Sequence, residues 1–369
     1  MPLRIERAPL EQLLELLPQL LSSLSLGRAQ IALEQIRSTL QHRPHDEILC
    51  LVATDGATHQ PLAAVIAIVQ PAVAPHPHSD MATLIHADFL SPSRVLPQDP
   101  SSQPAVDDAI APVDQQADHA SLIQQLQIDL MQRLEERGVR FVQWALDPQA
   151  ESSSTRWCSG FGFDQIATLD YLSGEKNAGL QNGDQNPNTL HFRPLLWDPP
   201  SEFDSFAQLV ESTYDDTLDC PRLGEFRTAS ETLRGYQAGP AFAPTLWFRI
   251  TDSVDESSLP IGCLILAKHE NSPNPNNPDP EPAAEASGTE PVLEIVYMGI
   301  VPEARGRGYG KCLVDGAFAA VADAGGTKLI LGVDRANTPA RTIYDRMGLR
   351  PMLSETIWVR KLNPAKQGL

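Results

Sequence analysis

A hydrophobic strand that runs into a glycine-rich turn and an apolar helix constrains the fold more than any other feature. The segment is MGIVPEARGRGYGKCL, at positions 298–313. Glycine lets a backbone adopt conformations barred to other residues and approach a ligand closely. The first N–H groups of a helix carry partial positive charge and favour anions such as phosphates. We therefore predict a pyrophosphate site here, with Arg305, Arg307 and Lys311 adding positive charge beside it.

Three known phosphate-binding loops compete for this stretch. The Walker loop needs glycine at position 305 and serine or threonine at position 312, and the chain has neither. The dinucleotide fingerprint GxGxxG fails because Lys311 or Leu313 stands at its last glycine. The third pattern is R/Q-x-x-G-x-G/A, and Arg305, Gly308 and Gly310 satisfy it completely.

This third pattern is the coenzyme A loop of the GNAT superfamily of N-acetyltransferases, which residues 292–362 resemble. The resemblance includes Pro302 in the turn, Asn337 after the next strand, and Tyr344 four residues before Gly348. It implies an α/β (α+β) fold in which a mixed, mostly antiparallel, twisted sheet is flanked by helices. In such a fold two neighbouring strands splay apart and leave a cleft for the pantetheine arm of the coenzyme.

The resemblance also implies an activity, which is acetyl-CoA-dependent N-acyl transfer by direct attack of an amine on the thioester. Tyr344 matches the family's general acid, and a phenol is protonated at neutral pH; the alternative is a core tyrosine. Glu294 stands where the histone-acetylating branch has a glutamate, so it is the candidate base; the alternative is a partly exposed strand carboxylate. Asn337 would contact the coenzyme or cap a helix.

Coenzyme binding would involve one strand edge and the loop. The backbone of Met298 and Ile300 would pair with the pantetheine arm, and the Met298 amide would polarise the thioester carbonyl. The residues expected to bind acetyl-CoA are Met298, Ile300, Arg305, Gly306, Arg307, Gly308, Tyr309, Gly310, Lys311 and Asn337.

An acidic stretch at positions 213–226 corresponds to a substrate wall of the family. Its residues Asp215, Asp216 and Asp219 would attract an ammonium group, or would form a solvated acidic loop. We expect a small-molecule or peptide amine as acceptor and a monomer or homodimer. A non-catalytic acyl-CoA sensor and a structural scaffold are the competing interpretations.

The N-terminal half repeats the order of elements of the C-terminal half. EERGVRFVQWALD resembles ADAGGTKLILGVD, and RWCSGFGF resembles IYDRMGLR. We predict a duplication, with domains at 1–172 and 189–369, a linker at 173–188 and a flexible loop at about 270–290. A disordered insert at about 91–118 replaces the phosphate loop of the first copy. Cys158 and Glu151 stand at its tyrosine and asparagine positions, so we expect that copy to have lost coenzyme binding.

The composition excludes several classes of function. A net charge of −19 opposes nucleic-acid binding. The five cysteines form no CxxC pair, which favours a reducing, cytoplasmic location. We see no signal peptide and no apolar run of about 18 residues, and we expect no membrane association. The histidines His76, His78 and His86 lack metal-ligand spacing, so we expect no metal.

Overall fold

The chain forms two compact units. The computed structural model describes residues 3–24, 26–42, 48–70, 81–90, 113–148, 157–158, 160–175, 189–255, 257–269 and 290–363. One unit comprises Met1–Gln165 with Thr356–Leu369, and the other comprises Ile166–Glu355. Positions 91–112 of the expected insert at 91–118, 176–188 of the expected linker at 173–188 and 270–289 of the expected loop lie outside the described residues, as does Glu151. Positions 173–175 of the expected linker are strand.

The first unit is a sheet with helices on its faces. Its strands are β1 (Leu3–Arg7), β2 (Ile48–Asp55), β3 (Pro61–Val69), β4 (Met81–Phe89) and β5 (Phe141–Leu146). Its helices are α1 (Leu10–Leu20), α2 (Leu26–His42) and α3 (Val113–Glu136). The start of α3 at Val113 corrects the expected insert, because positions 113–118 are helical.

The second unit is likewise a sheet with helices on its faces. Its strands are β6 (Asp164–Glu175), β7 (His191–Pro194), β8 (Phe242–Thr251), β9 (Gly262–His269), β10 (Val292–Ile300) and β11 (Lys328–Asp334). Its helices are α4 (Pro200–Ser212), α5 (Ala229–Gln237), α6 (Tyr309–Asp323) and α7 (Thr338–Arg346). The last strand of the chain is β12 (Arg350–Lys361). No helix among the described residues is long and apolar enough to cross a membrane.

The two sheets share one topology. The strand order is β1-β2-β3-β4-β5-β12 in the first unit and β7-β8-β9-β10-β11-β6 in the second. Within each of these sheets only the fifth strand pairs in parallel with its predecessor, β5 with β4 and β11 with β10. The predicted mixed, mostly antiparallel fold is therefore confirmed.

The splayed strands of the second unit have a counterpart in the first. Strand β10 pairs with β11 only at Val292–Ile295, and a bulge interrupts its pairing with β9 just after that segment. Strand β4 pairs with β5 only at Met81–Leu84, and its register with β3 also shifts just after that segment. A bulge at the same point of both copies supports an internal duplication.

The sixth strand of each sheet is exchanged between the copies. In chain order, β6 follows the other strands of the first unit, yet it pairs with β11 of the second. The end of the chain, at positions 356–361, pairs instead with β5. The units thus differ from the expected domains at 1–172 and 189–369. The sequence-based boundary missed β6 because strand pairing between distant segments leaves no local pattern.

Helices cover both faces of the second sheet, and the side chains on each face form a separate hydrophobic cluster. Leu313 of α6 and Tyr344 of α7 pack with Leu293 and Ile295 on one face. Phe206 of α4 and Leu233 of α5 pack on the opposite face in a cluster that includes Tyr297 at its margin. The bulge in β10, between Ile295 and Tyr297, lies between these two groups of side chains.

Candidate active site

The glycine-rich loop enters α6 through two left-handed residues. Gly306 has a φ of 75° and Gly308, at the N-cap, has a φ of 81°. Residues other than glycine are strained at such angles. No described side chain caps the N-terminus of α6, so the first N–H groups of the helix lack that partner. A β-carbon on Gly306 would meet nothing within 4 Å, which shows that the loop borders open space.

Gly310 is required for a different reason, which is close packing. A β-carbon there would lie 2.7 Å from Cδ1 of Ile343 on α7. The absence of a side chain at Gly310 therefore lets α6 approach α7, the helix that carries Tyr344.

The Arg305 side chain stabilises the loop from within. Its guanidinium donates to the carbonyl oxygens of Ile300 at 3.0 Å, Thr213 at 2.9 Å and Asp216 at 3.2 Å. These three backbone contacts hold the end of β10 against the segment that follows α4. The expected place of Arg305 beside a phosphate stays a prediction.

The remaining polar side chains of the loop also have protein partners. Tyr309 donates its hydroxyl to Asp252 at 3.2 Å, and an Arg307 nitrogen lies 3.8 Å from the same carboxylate. Lys311 pairs with Asp315 one helical turn later, at 3.0 Å and with both side chains about half exposed. Exposed pairs of this kind are weak and exchange readily for another anion.

The open edge of β10 begins where its pairing with β11 ends. In the described ladder the last partner pair is Ile295 with Leu331, whereas β11 continues to Asp334 along β6. Met298 and Ile300 lie beyond that point and remain paired with β9 on their other side. They are thus at the edge to which an extended ligand can add.

Tyr344 is buried on α7, with 5% of its surface exposed. Burial raises the pKa of its phenol above the ordinary value, and the charge of Asp219 adds to the shift. The hydroxyl therefore stays protonated at neutral and moderately alkaline pH. This is a suitable state for a proton donor, and it is equally that of a core tyrosine.

Glu294 is paired with a histidine that the sequence did not single out. Its Oε2 lies 2.7 Å from Nε2 of His269, the last residue of β9, and both side chains are about one-third exposed. Alternation along β10 directs Glu294 away from Leu293 and Ile295, toward the face covered by α4 and α5. There its charge contributes to raising the pKa of Tyr236 to about 12, after the larger effect of burial.

Asp219 is bound to the end of β11 and is not a freely solvated loop residue. Its Oδ1 accepts the backbone N–H of Asp334 at 2.7 Å, and Oδ2 of the buried Asp334 accepts the N–H of Cys220 at 3.2 Å. Burial raises the pKa of Asp219, and the charge of Asp334 raises it further. Asp216 and Cys220 both have positive φ, so the loop that presents this carboxylate is strained.

The other two aspartates of this stretch are exposed, and Asn337 has a structural partner. Asp215 and Asp216 are exposed at the surface, as expected for residues of a solvated acidic loop. Asn337 is the N-cap of α7 and accepts the N–H of Ala340 at 3.3 Å. Its side chain also hydrogen-bonds Asp219. The capping alternative is therefore observed, and the coenzyme contact stays a prediction.

The sequence analysis missed His269 as a candidate and missed the partner of Asp219. His269 is placed beside Glu294 by the register of β9 against β10, and Asp219 contacts a residue 115 positions away. Neither relationship has a spacing that a motif could capture. Within the described ranges no cluster of three or more His, Cys, Asp or Glu residues could hold a metal ion.

Comparisons with known proteins find similarity to acetyltransferases. Residues 210–349 match the family model described as acetyltransferase (GNAT) family. The chain is 31% identical over 131 residues to a mycothiol acetyltransferase of Geodermatophilus obscurus, an alignment that spans 36% of this chain and 37% of that protein.

Two solved structures share the fold. The GCN5-related N-acetyltransferase of Sphaerobacter thermophilus has a TM-score of 0.51 at 13% identity, covering 98% of this chain and 96% of that one. A GCN5-related glucosamine N-acetyltransferase region of a fungal multi-domain GH3 β-N-acetylglucosaminidase has a TM-score of 0.55 at 16% identity. That likeness covers 97% of this chain and 38% of that one.

Proposed function

Because residues 210–349 match the acetyltransferase (GNAT) family model, we propose that this chain transfers an acetyl group from acetyl-CoA to a primary amine. The observation that carries the proposal is the start of α6. There the left-handed Gly306 and Gly308 present helix N–H groups to open space, beside the open edge of β10. A diphosphate and an extended pantetheine arm require these two features side by side.

The residues would divide the binding of acetyl-CoA as follows. The amides from Gly306 to Lys311 bind the diphosphate, and Arg307 and Lys311 exchange their exposed carboxylate partners for it. The backbone of Met298 and Ile300 binds the pantetheine arm. Arg305 holds the loop in shape through its backbone contacts. Asn337 fixes the first turn of α7 and so the position of Tyr344.

The chemistry needs two proton movements around one nucleophilic attack. Glu294 takes a proton from the ammonium form of the acceptor, and the neutral amine attacks the thioester carbonyl. The C–N bond forms and the C–S bond breaks, while the Met298 amide stabilises the oxyanion. Tyr344 donates its proton to the departing thiolate and regains one from the amide nitrogen, so coenzyme A leaves as the thiol.

A cationic amine fits the acceptor side of the site. Glu294 and Asp219 are both half-buried carboxylates, and no cation among the described residues is paired with Asp219. An ammonium group would therefore be attracted to this side. The relative from Geodermatophilus obscurus is named for mycothiol, which favours a small-molecule amine over a protein substrate.

Release of free coenzyme A thiol tests the proposal directly. The purified chain is mixed with acetyl-CoA and, in turn, with a panel of primary amines, and thiol is measured with and without each amine. We expect amine-dependent release that falls by about 10²-fold or more in Glu294→Gln and in Tyr344→Phe. Glu175→Gln, at an exposed glutamate at the end of β6, is the control and should match the unaltered protein. Tight binding of acetyl-CoA without release for any amine would instead indicate a sensing protein.

A further inference from the structure

The contact between Glu294 and His269 follows from sheet geometry. Val292 pairs with His269 across the β9–β10 ladder, and Glu294 pairs with Ala267. Glu294 and His269 are therefore diagonal neighbours on one face of the sheet, within reach of long side chains. Their 2.7 Å contact is the length of a strong, charge-assisted hydrogen bond.

The reaction creates a need that Glu294 alone does not meet. An ammonium acceptor loses two protons when it becomes an amide, and the thiolate accepts only one. The second proton must pass from Glu294 to water before the next turnover. In the ternary complex, the carboxylate faces the acceptor on one side, so the proton must leave on another.

One described neighbour of Glu294 both contacts its carboxylate and is exposed to solvent. Tyr236, on α5, holds its proton because its pKa is raised to about 12. An imidazole can take a proton at one ring nitrogen and release one from the other, and one-third of the His269 side chain is exposed. His269 thus contacts the carboxylate with one ring nitrogen and reaches solvent.

We propose that His269 is a proton relay for Glu294, an inference that rests on the proposed acetyl transfer. The carboxyl proton of Glu294 passes from Oε2 to Nε2 of the imidazole in its Nδ1–H form. The resulting imidazolium releases the Nδ1 proton to water, and the remaining Nε2–H donates to the ionised carboxylate between turnovers, so the other carboxylate oxygen stays directed at the acceptor. Once Glu294 is protonated again, proton exchange with water returns the imidazole to its Nδ1–H form.

Substitution of His269 in the full chain tests the relay. We expect His269→Ala to lower kcat by about 10- to 100-fold, less than loss of the base itself, with unchanged KM for acetyl-CoA. Added imidazole should restore much of the rate, because a free base can take the proton in the vacated space. The double variant Glu294→Gln/His269→Ala should be no slower than Glu294→Gln, since a relay has nothing to carry without the base.

The controls separate the relay from a structural role and from the proposed function. His191→Gln, at another partly exposed strand histidine of the same unit, should leave kcat and its imidazole dependence unchanged. A kcat within twofold of the unaltered protein in His269→Ala, or a loss that imidazole does not restore, overturns the relay while acetyl transfer stands. Absence of amine-dependent turnover in the unaltered protein overturns both.

Discussion

The carboxylate of Asp170 accepts hydrogen bonds from the guanidinium of Arg335 at 2.6 and 3.1 Å, across 165 positions of sequence. Asp170 belongs to the exchanged strand β6, and Arg335 belongs to the turn between β11 and Asn337. Arg341, on α7, and Ser354 contact the same carboxylate. Strand β6, which precedes residues 210–349 in the chain, thereby fixes the turn before Asn337 and the helix that carries Tyr344.

Replacement of Asp170 by asparagine should weaken the second unit. The side chain is 8% exposed and Arg335 is about half exposed, so the loss resembles that of hydrogen bonds to a charged group, roughly 1.5–3 kcal/mol. The hydrogen bond from Arg335 is the main reason that the pKa of Asp170 is lowered, against the opposing effect of burial. Its stabilising effect is therefore present above about pH 4 and is lost as the pH falls through the lower folded-state pKa.

Urea unfolding at pH 7 and at successively lower pH measures this effect. Asp170→Asn and the unaltered chain should converge in stability at the acid end. Asp345→Asn removes the exposed pair with Arg350 and should cost less than about 1 kcal/mol. Equal stability of Asp170→Asn and Asp345→Asn at pH 7 would contradict the structural importance of the exchanged strand.

Replacement of Tyr344 by phenylalanine separates the two interpretations of this residue. The phenol makes no hydrogen bond that holds the described fold together, so folding should change little, whereas loss of a general acid should lower kcat by about 10²-fold or more. Because the pKa of Tyr344 is raised by burial and then by Asp219, its proton should remain in place up to about pH 10.

The measurement for Tyr344 is kcat between pH 7 and pH 10, together with a melting curve. A core role predicts a lower melting temperature with kcat nearly unchanged. A decline of kcat between pH 8 and pH 10 that disappears in Tyr344→Phe would show that the phenol ionises early, against the raised pKa.

Replacement of Asp219 by asparagine should make the protein more stable and less active. The pKa of Asp219 is raised by burial first and by Asp334 next, so its contribution to folding is complete below about pH 4 and declines as the pH rises through the folded-state pKa. An amide oxygen still accepts the N–H of Asp334 without the cost of a half-buried charge. We expect a gain of roughly 0.5–2 kcal/mol at pH 7, the usual range for single stabilising substitutions, and no gain at pH 3.

Chemical denaturation at the two pH values and the KM for the amine check this account. The KM should rise if Asp219 attracts the ammonium group. Destabilisation at pH 7 with an unchanged KM would mean that Asp219 is a structural anchor of the loop and nothing more.

The sequence predicted most of the features that depend on residues close together in the chain. The start of α5 is an example, because a capping box of Thr228 and Glu231, three residues apart, begins it. The turn from Arg305 to Gly310 was recognised by its glycines, which adopt backbone conformations that are strained for other residues. These signals lie within a few residues of one another, where propensity and turn chemistry act.

The features that the sequence concealed depend on distant partners. Strand β6 was not predicted, since its pairing with β11 is set by the complete sheet. The contacts of the Arg305 guanidinium were not predicted either, because only the path of the chain after α4 places three carbonyl oxygens around it. His269 became a candidate only when the register of β9 placed it beside Glu294.

The most direct test of the account is the affinity for acetyl-CoA, measured by calorimetry, of a matched pair of glycine variants. Gly306 and Gly325 have φ of 75° and 76°, and a β-carbon on either meets nothing within 4 Å. Glutamate at either site therefore imposes the same backbone strain, but only Gly306→Glu puts a carboxylate in the glycine-rich loop. We predict that Gly306→Glu loses affinity by roughly 100-fold, since like charges about 4 Å apart repel by several kcal/mol near a protein surface. Gly325→Glu should bind as the unaltered protein does. Equal affinity of the two variants would contradict the assignment of the loop to the diphosphate.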